Sequence, residues 1–254
     1  MSTEEQLTVL VVGSTGSIGT HVVAALMRAG HRTRALVRDT GRARRLDPAA
    51  ETVVGDLTDA ATLVDAVRDV DAVVFTHGAG GAQAEPVDYG AVRNVLQALG
   101  GRPVRIALMT TIGVTVRSDG HDWKRRGERL VRASGNLYTI VRPGWFDYHD
   151  DDQLHLTMLQ GDTRRAGSPA DGAIARRELA RVLVDSLTEP DAERRTLELV
   201  AETGPEQDDL GPVFAALEQD ALDALDGVRD VDNLPLDDEP RSVLDEIERV
   251  RRRR

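Results

Sequence analysis

Three glycines at intervals of three, Gly13, Gly16 and Gly19, stand between an apolar β-branched run and an apolar run of helical period. A strand, a tight turn and a helix in that order bring backbone N–H groups and the helix N-terminus against a pyrophosphate. Any side chain larger than hydrogen at the glycines would obstruct the approach. The turn Gly13-Ser14-Thr15-Gly16-Ser17-Ile18-Gly19 therefore predicts a dinucleotide site. At the end of the next strand an acidic side chain would hold the ribose 2′-hydroxyl of NAD(H), whereas an arginine suits the 2′-phosphate of NADP(H). Arg38 occupies that position, followed by Asp39, with Arg34, Arg42 and Arg44 nearby. The expectation is NADP(H) in preference to NAD(H), with rotation of Asp39 into the site as the alternative.

Two further features point to chemistry. Of 32 basic residues only Lys124 is lysine. In a chain that otherwise uses arginine, such a lysine is expected where a compact ammonium cannot be replaced by a planar guanidinium. The chain holds only 2 Trp, 3 Tyr and 3 Phe, yet Trp145, Phe146 and Tyr148 fall within four positions after an apolar strand. Flat walls there suit a planar substrate beyond the carboxyl ends of the strands, or a hydrophobic plug beneath a small lobe. His149 and His155 lie among Asp147 and residues 150–152 without helical spacing, and no metal site is expected. Arg164, Arg165, Arg176 and Arg177 read as an anion contact or as surface salt bridges.

The elements that must carry these residues follow from periodicity. Strands are expected at 7–12, 33–37, 52–54, 71–75, 104–109, 137–141 and 196–200. Helices are expected at 18–27, 60–70, 86–99, 123–133 and 174–187. Residues 161–172 read as loop, and 210–225 and 241–250 as acidic amphipathic segments. Strand–helix alternation with short connections is the pattern of an α/β, doubly wound parallel sheet of Rossmann type. The expected organisation is a Rossmann domain over 1–203, with a small substrate lobe at about 145–175, and an acidic helical extension over 204–254.

Composition limits the function classes. There is no cysteine, which excludes disulfides and thiolate catalysis. The net charge is −11, of which residues 204–254 carry −8 (15 acidic and 7 basic). A nearly neutral body argues against nucleic acid as a partner, and no apolar run is long enough to suggest a membrane. Residues 1–5 lack the pattern of a secretory signal, so a cytoplasmic protein acting on a small-molecule substrate is expected. The basic run 251–254 reads as a solvated tail. The acidic segments are open to three roles: capping the cleft, forming a homodimer face or binding another partner.

Taken in order, residues 11–19, Leu36-Val-Arg-Asp39, Gly55-Asp-Leu57, Leu108-Met-Thr-Thr-Ile-Gly113 and Tyr138-Thr-Ile-Val-Arg-Pro-Gly144 resemble atypical short-chain dehydrogenase/reductases, in particular NmrA-like and flavin-reductase-like NAD(P)-binding proteins. The resemblance implies that Asp56 and Leu57 border the adenine, and that Phe75, Thr76, His77 and Gly78 line the pyrophosphate and ribose side. It further implies a catalytic Ser or Thr position at Thr110 and Thr111. Lys124 would meet the nicotinamide ribose, and Pro143, Gly144, Trp145 and Phe146 the carboxamide. The family's tyrosine four residues before the lysine is absent, since Gly120 stands there. Three alternatives stay open: another proton donor such as Tyr148, His149 or His155, chemistry that needs only hydride transfer, as with a flavin or quinone acceptor, or loss of catalysis; His121 and Asp122 are set aside as out of register. Two functions follow. One is an NADPH-dependent oxidoreductase acting on a carbonyl, quinone or flavin-like acceptor. The other is a non-catalytic NAD(P)-binding redox sensor of NmrA type.

Overall fold

In the computed structural model, which describes residues 6–79 and 81–254, one sheet runs through the molecule. Residues 1–5, which bear on the signal expectation, lie outside the described residues. Seven parallel strands form the body: β1 (Thr8–Val12), β2 (Arg32–Val37), β3 (Glu51–Val54), β4 (Ala72–Phe75), β5 (Arg105–Met109), β6 (Leu137–Pro143) and β10 (Arg195–Glu202), in the order β3-β2-β1-β4-β5-β6-β10. The chain winds outward from β1 in both directions, so a crevice opens where β1 and β4 part at their carboxyl ends. β1 is buried on both faces. Val9 and Val11 join the core beneath α1 (Gly19–Arg28) and α4 (Arg176–Asp185), while Leu10 and Val12 join the one beneath α2 (Gly90–Leu99), α3 (Asp119–Ala133) and α6 (Arg241–Arg251). This two-sided burial explains why the strands read as continuous apolar runs rather than as alternation.

The small lobe is built on the edge of this sheet. β8 (His155–Leu159) and β9 (Ala173–Ile174) pair antiparallel with β10, and the two-residue β7 (Trp145–Phe146) pairs with β9. None of these three strands was expected, because each is short and its partner lies far along the chain.

Three segments depart from expectation. Residues 60–70 form a 3-10 turn (Ala60–Leu63) and further turns rather than an α-helix. Leu63, Ala66, Val67 and Val70 are nevertheless buried. Three valines lower the helical propensity there, and Asp69 turns the chain at φ +53°. The expected helix over 210–225 is reduced to α5 (Gly211–Ala215). Beyond it Asp220 is drawn into the interior, where it meets Arg132, Tyr138 and Thr196. The basic run 251–254 is exposed, as expected, but it is anchored: Arg254 donates to the Ala133 carbonyl at 2.8 Å and pairs with Asp223. Among the described residues no helix is long and apolar enough to cross a membrane.

Candidate functional site

Every strand of the crevice delivers a loop to the same edge. Between β1 and α1 the chain turns with Gly13 at φ +86°, where a Cβ would stand 2.7 Å from the His77 backbone nitrogen. At Gly19 a Cβ would lie 2.1 Å from the Gly13 carbonyl oxygen. Glycine is thus required at both by close backbone approach. Ser14 is fully buried and donates to the Leu36 carbonyl at 2.6 Å, which ties the turn to β2 rather than pointing its hydroxyl outward.

A cleft of about 600 Å³ opens over this turn. Gly13, Thr15, Gly16, Ser17 and Ile18 form its floor, with Arg38 and Arg42 after β2, and Asp56 and Leu57 after β3. Thr76, His77 and Gly78 after β4 complete the wall. Arg38 is exposed and makes no ion pair among the described residues, whereas Asp39 caps the 3-10 turn at Thr40–Arg45 and pairs with Arg42 at 3.3 Å. Asp39 is therefore committed to the backbone and is not among the cleft residues. Asp56 is held below the ordinary carboxylate range by hydrogen bonds from Thr58, helped by Arg38. His77 is buried, which pushes its imidazole down to about 4. Its Nε2 lies 3.3 Å from the Asp88 carbonyl and Nδ1 has no partner, so the ring is neutral and keeps an acceptor.

A second cleft, also about 600 Å³, shares His77, Gly78, Met109 and Phe146 with the first. It is continued by Thr110, Thr111, Pro143, Gly144 and Trp145 from the ends of β5 and β6, by His121 and Lys124 from α3, and by Arg165 and Asp171 from the small lobe. Lys124 Nζ sits 3.0 Å from Asp88 Oδ1, and Gly78 lies beside it. Asp88 also accepts from Ala79 N at 2.8 Å, so one buried carboxylate fixes both the lysine and the loop after β4. That pairing gives Lys124 a structural duty in addition to any at the ribose.

The remaining sequence candidates divide. Thr110 donates its hydroxyl to buried Glu128 at 2.8 Å, and Thr111 to the Ile112 carbonyl at 3.2 Å. The N–H groups of Gly144 and Trp145 are bonded to the carbonyls of Leu199 and Gly172, which leaves them unavailable to a carboxamide. Trp145 and Phe146 line the second cleft; Tyr148 does not. The turn at Asp147 (φ +59°) carries Tyr148 outward, where it is 65% exposed and meets Trp145 edge-on. His149 lines neither cleft, and His155 is engaged by Gln207 on the far side of the lobe.

His121, set aside in the sequence as out of register, lines the second cleft. It precedes Lys124 by three residues, so both share a face of α3, just as residues four apart do. Its Nδ1 lies 2.9 Å from the Val116 carbonyl, an acceptor that places the proton on Nδ1 and leaves Nε2 free. The signal was present in the i, i+3 spacing.

A Rossmann crevice with a glycine cradle, a neutral buried histidine and a lysine at the inner wall defines a dinucleotide-binding protein. The matching of known families agrees, because residues 13–190 fit the NAD(P)H-binding family. The chain belongs to that family and is an NAD(P)-dependent oxidoreductase. An NAD(P)H azoreductase of Xenophilus azovorans is 30% identical over 82% of this chain and 72% of its own length. Among solved structures, a Bacillus halodurans protein described as an NAD-dependent epimerase/dehydratase superposes with a TM-score of 0.68 at 21% identity, covering 83% of this chain and all of that one. An anaerobilin reductase of Escherichia coli O157:H7 gives 0.62 at 21% identity, over 76% of this chain and 96% of that one.

Proposed function

We propose that the chain is an NADPH-dependent reductase that passes hydride to a small, flat acceptor of carbonyl, quinone or flavin-like type. The observation that carries this reading is the continuity of the two clefts: the pyrophosphate turn and the Trp145–Phe146 wall are joined through His77, Gly78 and Met109, with Lys124 and His121 beside the join. The glycine cradle and the unpartnered His77 Nδ1 fit a dinucleotide along the first cleft. Arg38 would take the 2′-phosphate, because Asp39 is tied to the backbone. The names of the azoreductase and the anaerobilin reductase support reduction as the reaction.

Bound nicotinamide supplies the hydride; the protein supplies orientation and a proton. Lys124, held by Asp88, presents its ammonium to ribose hydroxyls. His121, as imidazolium, donates its Nε2 proton to the acceptor atom that gains charge, while the Val116 carbonyl holds Nδ1–H. Reprotonation from solvent is open because His121 is partly exposed. In this arrangement histidine takes over the work of the tyrosine that Gly120 lacks.

The test is NADPH oxidation across quinones, flavins and carbonyls. His121→Asn is expected to lower kcat about 100-fold on carbonyl acceptors, the lower end for general acid catalysis, without weakening NADPH binding. Lys124 is removed as Lys124→Met together with Asp88→Asn, so that no buried carboxylate is stranded. Tight NADPH binding without turnover on any acceptor would favour the sensor instead.

A further inference from the structure

Of the four arginines Arg164, Arg165, Arg176 and Arg177, three are neutralised by carboxylates. Arg164 pairs with Glu202 at 3.0 Å, Arg176 with Asp147, and Arg177 with Glu178 at 2.8 Å. Arg165 has no ion pair among the described residues, and it is the one of the four that lines the second cleft. Its position is nevertheless fixed. Nε donates to the Asp162 carbonyl at 2.7 Å, which leaves the four Nη–H donors to other partners. Asp162 is itself fully buried, and its carboxylate receives the N–H groups of Gly113 and Thr115, each at 2.7 Å. The turn that presents Arg165 is thereby bolted to the loop after β5.

No acid nearby forms an ion pair with it among the described residues. Asp171 shares the cleft, but its oxygens are turned to the backbone N–H groups of Ala166, Gly167 and Ser168. Lys124 is balanced by Asp88. The acceptor end of the cleft thus combines an apolar wall of Trp145 and Phe146 with one held guanidinium that has no ion-pair partner among the described residues. A planar fork of donors matches a carboxylate or sulfonate.

We propose that Arg165 forms an anion subsite, and that the natural acceptor is a flat conjugated molecule bearing a carboxylate or sulfonate. The inference rests on the reductase reading for its substrate, but the subsite can be read without turnover. Methyl red and its methyl ester share one chromophore and differ in that charge. Binding of each dye to the protein saturated with NADP+ is followed by quenching of tryptophan fluorescence, and reduction by NADPH is followed by loss of dye absorbance.

The wild-type protein is expected to bind methyl red about tenfold more tightly than the ester, the scale of one charge-assisted hydrogen bond. Arg165→Ala removes that preference and raises KM for methyl red by a similar factor, with the ester moved less than twofold. Arg165→Lys restores part of it, and Arg177→Ala changes neither dye. Equal binding of the two dyes by wild type, or equal losses for both in Arg165→Ala, overturns the subsite. Charge-selective binding with no reduction of either dye upholds the subsite and counts against the reductase reading. Reduction of both dyes without selectivity does the reverse.

Discussion

Arginine is used in two opposite ways on the two sides of this molecule. Against α3 the side chains of Arg125, Arg129, Arg132 and Arg142 are almost entirely buried, and each is matched by acids from the carboxyl-terminal segment or from α3 itself. Arg142 alone meets Glu128 at 2.7 Å and Asp230 at 2.7 Å. Along the clefts, Arg38 and Arg165 are exposed and have no acid within ion-pair reach among the described residues. Buried guanidinium groups must be paired to be tolerated, so pairing at the back reports folding. Cations left unpaired at the rim of a cavity have no folding role of that kind, and a ligand anion is the natural partner.

The sharpest way to break this comparison is Glu128→Gln. The change keeps the shape but removes the charge shared by Arg142, Arg132 and the Thr110 hydroxyl. Loss of one partner in a buried pair costs about 3–5 kcal/mol, to be measured by urea denaturation at pH 7. Arg42→Ala, which removes an exposed pair at the rim, should cost less than about 1 kcal/mol. Similar losses for the two variants would erase the distinction. Although burial works against ionisation, Arg142, Arg132 and Thr110 hold Glu128 at about 2. Since its unfolded value is near 4.5, its contribution is complete above that value and disappears as the pH falls toward 2.

Glu198 shows the opposite sign in the same region. Burial pushes its carboxyl up to about 7 and Asp162 adds to the shift, while Arg142, 3.8 Å away, opposes it. One of its oxygens has no hydrogen-bond partner. The folded protein therefore keeps a proton that the unfolded chain releases near 4.5, and stability should fall as pH rises from about 4.5 to 7, then level off. Glu198→Gln should flatten that slope and stabilise the protein at pH 8 by at most about 3 kcal/mol, the energy of a shift of roughly two units. Urea midpoints at pH 5 and pH 8 decide it; an unchanged slope in the variant would mean that Glu198 is ionised throughout.

The sequence made these two sides unequally legible. The cleft floor is local: Gly13 to Gly19 and Arg38 belong to adjacent β–α units, so period and spacing were enough to locate them. The doubly wound parallel sheet follows from the same alternation and was expected correctly. The arginine clamp is nonlocal, joining Arg125 and Arg129 to Asp226 about a hundred residues later. In the sequence Asp226 falls just beyond an expected acidic amphipathic run, 210–225, of whose acids Asp220 is the one drawn into the interior. The small lobe was hidden for a related reason, since β7 and β9 have two residues each and acquire strand character only through β10. Tyr148 was misplaced by a single left-handed residue, Asp147, which no period can register. His121 was legible, and was set aside because its spacing from Lys124 was measured against the four-residue pattern alone.

The smallest expected effect tests the rim directly. Arg38→Ala should leave the urea midpoint unchanged, because Arg38 is exposed and pairs with no acid within ion-pair reach among the described residues. Its effect should fall on cofactor choice. One or two charge-assisted hydrogen bonds to a 2′-phosphate are worth about 1.5–3 kcal/mol, so the Kd for NADPH should rise about 10- to 100-fold while that for NADH moves little. Asp39→Asn separates the competing account. If Asp39 could swing into the ribose pocket, its loss would weaken NADH selectively. Bound as it is to the Arg42 backbone N–H at 3.2 Å, it should affect neither cofactor and lose only a modest capping contribution. Titration of both variants with both cofactors gives four constants, and only the NADPH constant of Arg38→Ala should change. A parallel loss for NADH would place Arg38 on a group common to the two cofactors, such as the pyrophosphate, and would remove the basis for preferring NADP(H).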